Sequence, residues 1–246
     1  MSSPLIWAHR GASGYCPENT LPAFAMAAYM KADGVELDVQ LTRDREIVVC
    51  HDEKIDRTSN GAGYVKDYTL EELKQFDFCN GNMAYEGTRI PTMREVFAQL
   101  EPTDLTINIE LKTGEIFYEN LEQMIVELTH ECGFEKRVIY SSFNHYSIRK
   151  IQEIDPEAQT AFLYADGALD MPAYGRKNGV KALHPAFCNL QYPHFMEECS
   201  ENGLDVNVWT VNSRAELEAC AKYGVHAVIT NYPDKAREVC CGQKKD

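Results

Sequence analysis

Gly34-Val35-Glu36-Leu37-Asp38-Val39-Gln40 places charges where a strand should be apolar. Val35, Leu37, Val39 and Leu41 alternate with Glu36, Asp38, Gln40 and Thr42. Residues two apart share one face of a strand, so one face is apolar and the other carries two carboxylates side by side. A little further on, Glu46-Ile47-Val48-Val49-Cys50-His51-Asp52 runs a β-branched segment into a His-Asp pair. Leu105-Thr106-Ile107-Asn108-Ile109-Glu110-Leu111-Lys112 repeats the alternation, with Thr106, Asn108, Glu110 and Lys112 on the polar face. A solvated antiparallel strand accounts for one such stripe. Two of them, set among helical segments, fit a parallel sheet covered on both faces, where charges need partners. A cation shared by Glu36, Asp38 and Glu110 would be such a partner.

Working outward, Leu5 to Ala8 reads as a short buried strand ending at His9-Arg10-Gly11. A loop over 12–19 leads into a helix over 20–32, where Leu21, Phe24, Ala25, Ala28 and Tyr29 recur at helical spacing. The two strands just quoted follow. The segment 53–89 is irregular, with turn signals at 59–63 and 80–82. It holds one short helix opened by a Thr69–Glu72 capping box, and a Thr92–Glu95 box opens the helix after it. Beyond the Glu110 strand, helix and strand alternate. The helices are 118–132, 146–153, 168–178, 193–202 and 214–223; the strands are 138–141, 160–164, 181–184, 205–210 and 227–230. No linker divides the chain. The order predicts an α/β chain folded as a single (β/α)8 TIM-barrel domain over 1–246, with a small insertion at 53–89 after the second strand. The suspicious residues then fall at the C-terminal ends of strands, where barrel active sites lie. These are His9 and Arg10, His51, Glu110 and Lys112, Phe143, His184, and Trp209 to Asn212.

The 246 residues carry a net charge of −14, which disfavours nucleic acid or an anionic membrane as partner. The nine cysteines are scattered without a C-x-x-C pair; most are expected to be small buried apolar residues in a reducing compartment. The run Leu5-Ile6-Trp7-Ala8 is too short for a signal segment or a membrane span. The expectation is a soluble, cytoplasmic chain with no stable membrane insertion.

Glu36, Asp38 and Glu110 offer oxygen ligands only, which suit Mg²⁺, Ca²⁺ or Mn²⁺ over zinc. Arg10 and Lys112 beside a metal make an anion site, most naturally for phosphate. His9 and His51 on opposite sides of that phosphate would supply a base and an acid. The set describes metal-assisted hydrolysis of a phosphate ester. His130, His194 and His226 read as structural or solvated, while His145 and His184 fall after strand ends. The aromatics of the insertion read as its own small core. Glu18 and Asn19 are equally well read as helix-start residues.

His9-Arg10-Gly11-Ala12-Ser13, Pro17-Glu18-Asn19-Thr20, the run from Glu36 to Asp44, His51-Asp52, Asp56-Arg57-Thr58-Ser59-Asn60-Gly61 and Ile90-Pro91-Thr92 together resemble the glycerophosphodiester phosphodiesterases. Ile109-Glu110-Leu111-Lys112, Trp209-Thr210-Val211-Asn212 and Thr230-Asn231-Tyr232-Pro233 complete the set, in the family's order and over nearly the whole chain. The resemblance implies one divalent cation held by Glu36, Asp38 and Glu110, and His9 and His51 as the acid/base pair. It implies Arg10 and Lys112 as phosphate contacts, with Glu18, Asn19 and Trp209 supporting or lining the site. The implied substrate is a small glycerophosphodiester, such as glycerophosphocholine or glycerophosphoethanolamine, split to sn-glycerol 3-phosphate and an alcohol. Water and the substrate's own 2-hydroxyl both fit as nucleophile. A lysophospholipase D would need an apolar trough at the barrel mouth. A non-catalytic phosphodiester-binding barrel would have lost a histidine or carboxylate, and none is missing.

Overall fold

The computed structural model describes residues 3–242. Eight parallel strands close into a barrel: β1 (Leu5–His9), β2 (Gly34–Leu41), β4 (Thr106–Leu111), β5 (Val138–Ser142), β6 (Gln159–Tyr164), β7 (Ala182–Pro185), β8 (Asp205–Val208) and β9 (Ala227–Thr230). Pairing of β1 with both β9 and β2 completes the ring. The short strand β3 (Ile47–Val49) folds back antiparallel on the far end of β2. Helices stand between successive barrel strands: α1 (Leu21–Tyr29), α3 (Met93–Leu100), α4 (Leu121–Cys132), α5 (His145–Ile154), α6 (Met171–Lys177), α7 (Phe195–Glu201) and α8 (Arg214–Tyr223). The short α2 (Leu70–Leu73) lies in the segment between β3 and α3, and α9 (Pro233–Cys241) follows the last strand. The structure is thus the expected (β/α)8 barrel.

Local chemistry explains the boundaries. The Thr69–Glu72 and Thr92–Glu95 capping boxes both form, and Ser213–Glu216 makes a third at α8. Helix α4 starts later than its sequence pattern suggested because Asn120 adopts a left-handed backbone, which leaves Tyr118 in the loop. Asp170 delays α6 in the same way. Strand β8 stops at Val208; Trp209 keeps one parallel bridge to Ala186 at the barrel mouth, and Thr210 leaves the sheet. Helix α9 was not anticipated. Its signals are Pro233 in the first turn and Ala236, Val239 and Cys240 at helical spacing, all packed on the main core.

The alternation in β2 sorts as predicted. Val35, Leu37, Val39 and Leu41 join the core between barrel and helices, while Glu36, Asp38 and Gln40 are buried on the other face, inside the barrel. Burial of each such aliphatic side chain contributes about 1.5–3 kcal/mol. Trp7, Ala227 and Ile229, with Ile139 against them, form a separate apolar cluster within the barrel. Between β3 and α3, Ile55, Val65, Leu73 and Phe78 pack with Val48, Cys50 and Ile90, and Tyr68 and Phe76 join this cluster. Of the aromatics there, Tyr64 is exposed and Tyr85 reaches Cys16 instead, so only three form a small core.

None of the nine cysteines is disulfide-bonded. Cys16, Cys50, Cys199 and Cys220 are buried, fewer than expected, because the others sit on loops, at the end of α4 or in α9. No helix among the described residues is long and apolar enough to cross a membrane.

Candidate active site

The register of the parallel strands brings the acidic residues together. Glu36 lies level with Asn108 and Asp38 level with Glu110, so all four point into the barrel from adjacent strands. Ligand oxygens of Glu36, Asp38 and Glu110 lie within 4.8 Å of one another, and all three residues are buried. No other group of three or more potential metal ligands converges in this way among the described residues. Asp38 Oδ1 is buried and makes no hydrogen bond to the protein. An all-oxygen set with one buried oxygen lacking a hydrogen bond fits a hard divalent cation.

The end of β1 brings the next residues. Gly11 turns the chain with φ +75°, and a Cβ there would sit 2.7 Å from the Ala23 backbone. Arg10 and Asn19 also adopt left-handed backbones, with φ of 54° and 57°. Each costs about 1 kcal/mol, and both costs fall at the site. The Arg10 amide thereby donates to Glu36 Oε2 at 2.9 Å, and its guanidinium reaches Glu18 Oε1 at 2.8 Å and Asp38 Oδ2 at 3.5 Å. Asn19 Nδ2 donates to Asp38 Oδ2 at 2.8 Å. His9 sits 2.6 Å from Asn231 Oδ1 through Nδ1, which leaves Nε2 facing Glu36 Oε2 at 4.0 Å.

His51 approaches from the β2–β3 side. Its Nδ1 lies 2.6 Å from Asp52 Oδ1, and its Nε2 lies 3.2 Å from Lys112 Nζ. With an acceptor on one nitrogen and an ammonium donor on the other, Nδ1 carries the proton and Nε2 the lone pair. Lys112 also donates to Glu110 Oε1 at 3.0 Å and lies 4.0 Å from Asp38 Oδ1. The His51 loop is held by Gln40, whose Nε2 donates to the carbonyls of Cys50, His51 and Asp52 at 2.9, 3.2 and 2.7 Å. Tyr118 Oη donates to Gln40 Oε1 at 2.8 Å. The third polar residue of the β2 stripe therefore staples a loop and does not belong to the acidic cluster.

The three carboxylates are not equivalent. Burial and the neighbouring Asp38 and Glu110 push Glu36 well above the usual carboxylate range. Burial and Asp38 push Glu110 up as well, against Lys112. Burial also opposes ionisation of Asp38, but Arg10, His51, Lys112 and the Asn19 hydrogen bond bring it down to about 2. His9 is lowered to about 4 by burial and by Arg10.

Trp209 lies at the mouth, edge-on to Phe143, and its indole N–H donates to the His184 carbonyl at 2.8 Å. That donor is committed, so Trp209 offers an apolar ring and no phosphate contact. His184 lies within β7 rather than after it, fully buried inside the barrel, with Nε2 accepting from Asn207 Nδ2 at 2.9 Å. His145 opens α5, stacked on Phe162, and His194 caps α7 from outside the helix. His130 and His226 pair with Asp155 and Asp205. None of these five joins the acidic cluster.

Sequence reasoning gave no role to Arg57, Asn231 or Gln40. Arg57 and Asn231 lay inside quoted motif stretches, and Gln40 lay on the polar stripe; those were the signals. Arg57 donates to both oxygens of Glu18, at 2.7 and 2.8 Å, and to both oxygens of Asp52, at 2.7 and 3.0 Å. These bonds hold Asp52 far below the usual carboxylate range. Burial opposes ionisation of Glu18, but the bonds from Arg57 and Arg10 lower it.

Residues 9–235 match the Glycerophosphoryl diester phosphodiesterase family. A glycerophosphodiester phosphodiesterase of Caldanaerobacter subterraneus subsp. tengcongensis is 42% identical over 231 residues, covering 94% of this chain and 95% of that protein. A solved structure from Silicibacter pomeroyi, 21% identical, shares the fold with a TM-score of 0.90 over 98% of this chain and 95% of its own. An Oleispira antarctica phosphodiesterase solved with the product sn-glycerol-3-phosphate is 26% identical. It superposes with a TM-score of 0.83 over 96% of each chain.

Proposed function

The chain belongs to the glycerophosphoryl diester phosphodiesterase family and is a phosphodiesterase of that kind; on that premise we propose a divalent-metal-dependent hydrolase of small glycerophosphodiesters. Its products are sn-glycerol 3-phosphate and a free alcohol, as the product bound to the Oleispira relative suggests. The observation that carries this reading is the acidic trio, within 4.8 Å and buried, with His9 and His51 at its edge. Glu36, Asp38 and Glu110 are the ligands, and Asp38 Oδ1, buried without a hydrogen bond, is the donor that supports the assignment. A bound Mg²⁺, Ca²⁺ or Mn²⁺ would offset the negative charge on the phosphate oxygens.

The chain's own residues do the rest. Arg10 and Lys112 bind phosphate oxygens by charge-assisted hydrogen bonds. His51 and His9 each anchor Nδ1 on a neighbour, Asp52 and Asn231; His9 Nε2 faces Glu36, and His51 Nε2, which accepts from Lys112, is released when Lys112 turns to the phosphate. One imidazole takes the proton of the attacking hydroxyl, from water or from the substrate's 2-hydroxyl. The other, which enters the step protonated on both nitrogens, gives its Nε2 proton to the departing alkoxide oxygen and regains one from solvent as the first releases its own. Trp209 shields the mouth, Glu18 holds Arg10, and Asn19 holds Asp38.

The test is coupled detection of glycerol 3-phosphate from glycerophosphocholine and glycerophosphoethanolamine, after chelation and after metal add-back. Release that is absent with every metal sinks the reading. A second reading, lysophospholipase D, draws on one feature. Phe117, Phe143, Leu169 and Tyr192 are exposed on loops at the same barrel end, and Leu169, Met171, Pro172, Tyr192 and Phe195 line a cavity of about 270 Å³ there. Rates on lysophosphatidylcholine and glycerophosphocholine separate the two.

A further inference from the structure

We propose that Arg57 is a positioning residue for the reaction, its single guanidinium setting the separation between Arg10 and His51. The inference rests on the roles given to those two residues above. Arg57 lies on the turn after Ile55, which is wholly buried in the small core between β3 and α3. The Ser59 amide donates to the Ile55 carbonyl and the Asn80 amide to that of Thr58, so the turn is fixed within that segment.

From there the guanidinium reaches two other pieces of chain. It takes Glu18, on the loop after β1, through both carboxylate oxygens, and Asp52, after β3, through both of its oxygens. Each carboxylate passes the constraint on. Glu18 Oε1 also accepts from Arg10 Nη1 at 2.8 Å, and Asp52 Oδ1 holds His51 Nδ1 at 2.6 Å. The line Arg10–Glu18–Arg57–Asp52–His51 thus joins the phosphate-binding arm to a proton-transfer arm through one planar group. The Arg57 side chain is itself 45% exposed, while the carboxylates it holds, Glu18 and Asp52, are less open at 12% and 30%. A fork that grips two carboxylates face-on does fix distance and orientation, which lysine cannot copy.

The experiment compares Arg57→Lys and Arg57→Ala with Arg43→Ala. Arg43, about as exposed as Arg57, ties the end of β2 to the same segment through Glu72 and the Asp67 carbonyl and lies outside this line. Glycerol 3-phosphate release from glycerophosphocholine is followed with Mg²⁺, and folding by circular dichroism. Arg57→Ala is expected to lose about 100-fold in kcat, Arg57→Lys about 30-fold, with KM moving less than kcat, as misplacement of reacting groups by about 1 Å would give. Millimolar methylguanidinium should restore Arg57→Ala by about tenfold, as a vacated guanidinium site predicts, and Arg43→Ala should stay within about twofold of the parent. Arg57→Lys within twofold of the parent overturns the proposal. So does an equal loss in Arg43→Ala, or a loss that methylguanidinium does not restore. A parent that releases no glycerol 3-phosphate breaks the functional reading instead. The His51 imidazole N–H resonance, assigned by its disappearance in His51→Gln, then decides this one: an unshifted signal in Arg57→Ala overturns the clasp, and a shifted or exchanged-out signal supports it.

Discussion

On the β1–β2–β4 side of the barrel interior, Glu36, Asp38 and Glu110 crowd within 4.8 Å, and two of them are held above their usual protonation range. On the β7–β8 side, His184 and Asn207 are equally buried but share one neutral hydrogen bond, with Trp7 edge-on at 6.0 Å. The neutral pair costs about 1–3 kcal/mol for each polar atom left without a hydrogen bond, here His184 Nδ1 and Asn207 Oδ1, whereas crowded like charges oppose folding more strongly unless a cation joins them. Polarity in the first place is kept for chemistry, and in the second for packing.

The sharpest way to break this contrast is Glu36→Gln. Loss of one ligand should lower turnover by about 10³-fold or more. The same change removes a repulsive carboxylate, so in chelator the variant should melt about 2–4 °C above the parent for each kcal/mol relieved. A variant that keeps its activity, or melts lower than the parent in chelator, refutes the assignment. His51→Ala and His9→Ala come next, each expected to lower kcat by about 10²–10⁴-fold with little change in melting. Steady-state kinetics at saturating glycerophosphocholine decides; unchanged turnover removes that histidine from the mechanism.

The charged side was legible in the sequence because strand alternation is strict and parallel register is regular. The period in β2 and β4 put Glu36, Asp38 and Glu110 on one inner face, and pairing of Asp38 with Glu110 did the rest. What escaped was set by irregular backbone. Tyr118 was read as helical, but the left-handed Asn120 frees it to reach Gln40. Arg57 and Asn231 act through loops whose course no periodicity encodes. His184 was read as a residue of the mouth, since one more residue of strand is invisible in so short a run.

The quiet side predicts a pH effect. Burial, with His226 nearby, lowers His184 to about 3 from 6.5. The unfolded chain therefore takes up the proton first, so this contribution is whole above about pH 6.5 and fades as pH falls toward 3. Between pH 7 and pH 5 it should cost the parent about 2 kcal/mol. His9, lowered to about 4, adds to the same window. In urea titrations with chelator, His184→Gln should show a smaller drop between those pH values by about that amount. An identical drop in both proteins would mean that His184 is not held neutral.

The smallest change tests whether the charged side needs its scaffolding. Tyr118→Phe removes only the hydroxyl that donates to Gln40 Oε1. The cost to stability should be about 1 kcal/mol, that of a buried acceptor losing its partner. Gln40 Nε2 still faces the three carbonyls of the His51 loop, but its amide is no longer held from behind. If that loop sets the reach of His51 Nε2 toward Lys112, kcat should fall a few-fold while KM stays put. If kcat is untouched while stability drops, Gln40 braces the fold alone, and the precision of the charged side comes from Asp52 and its partners.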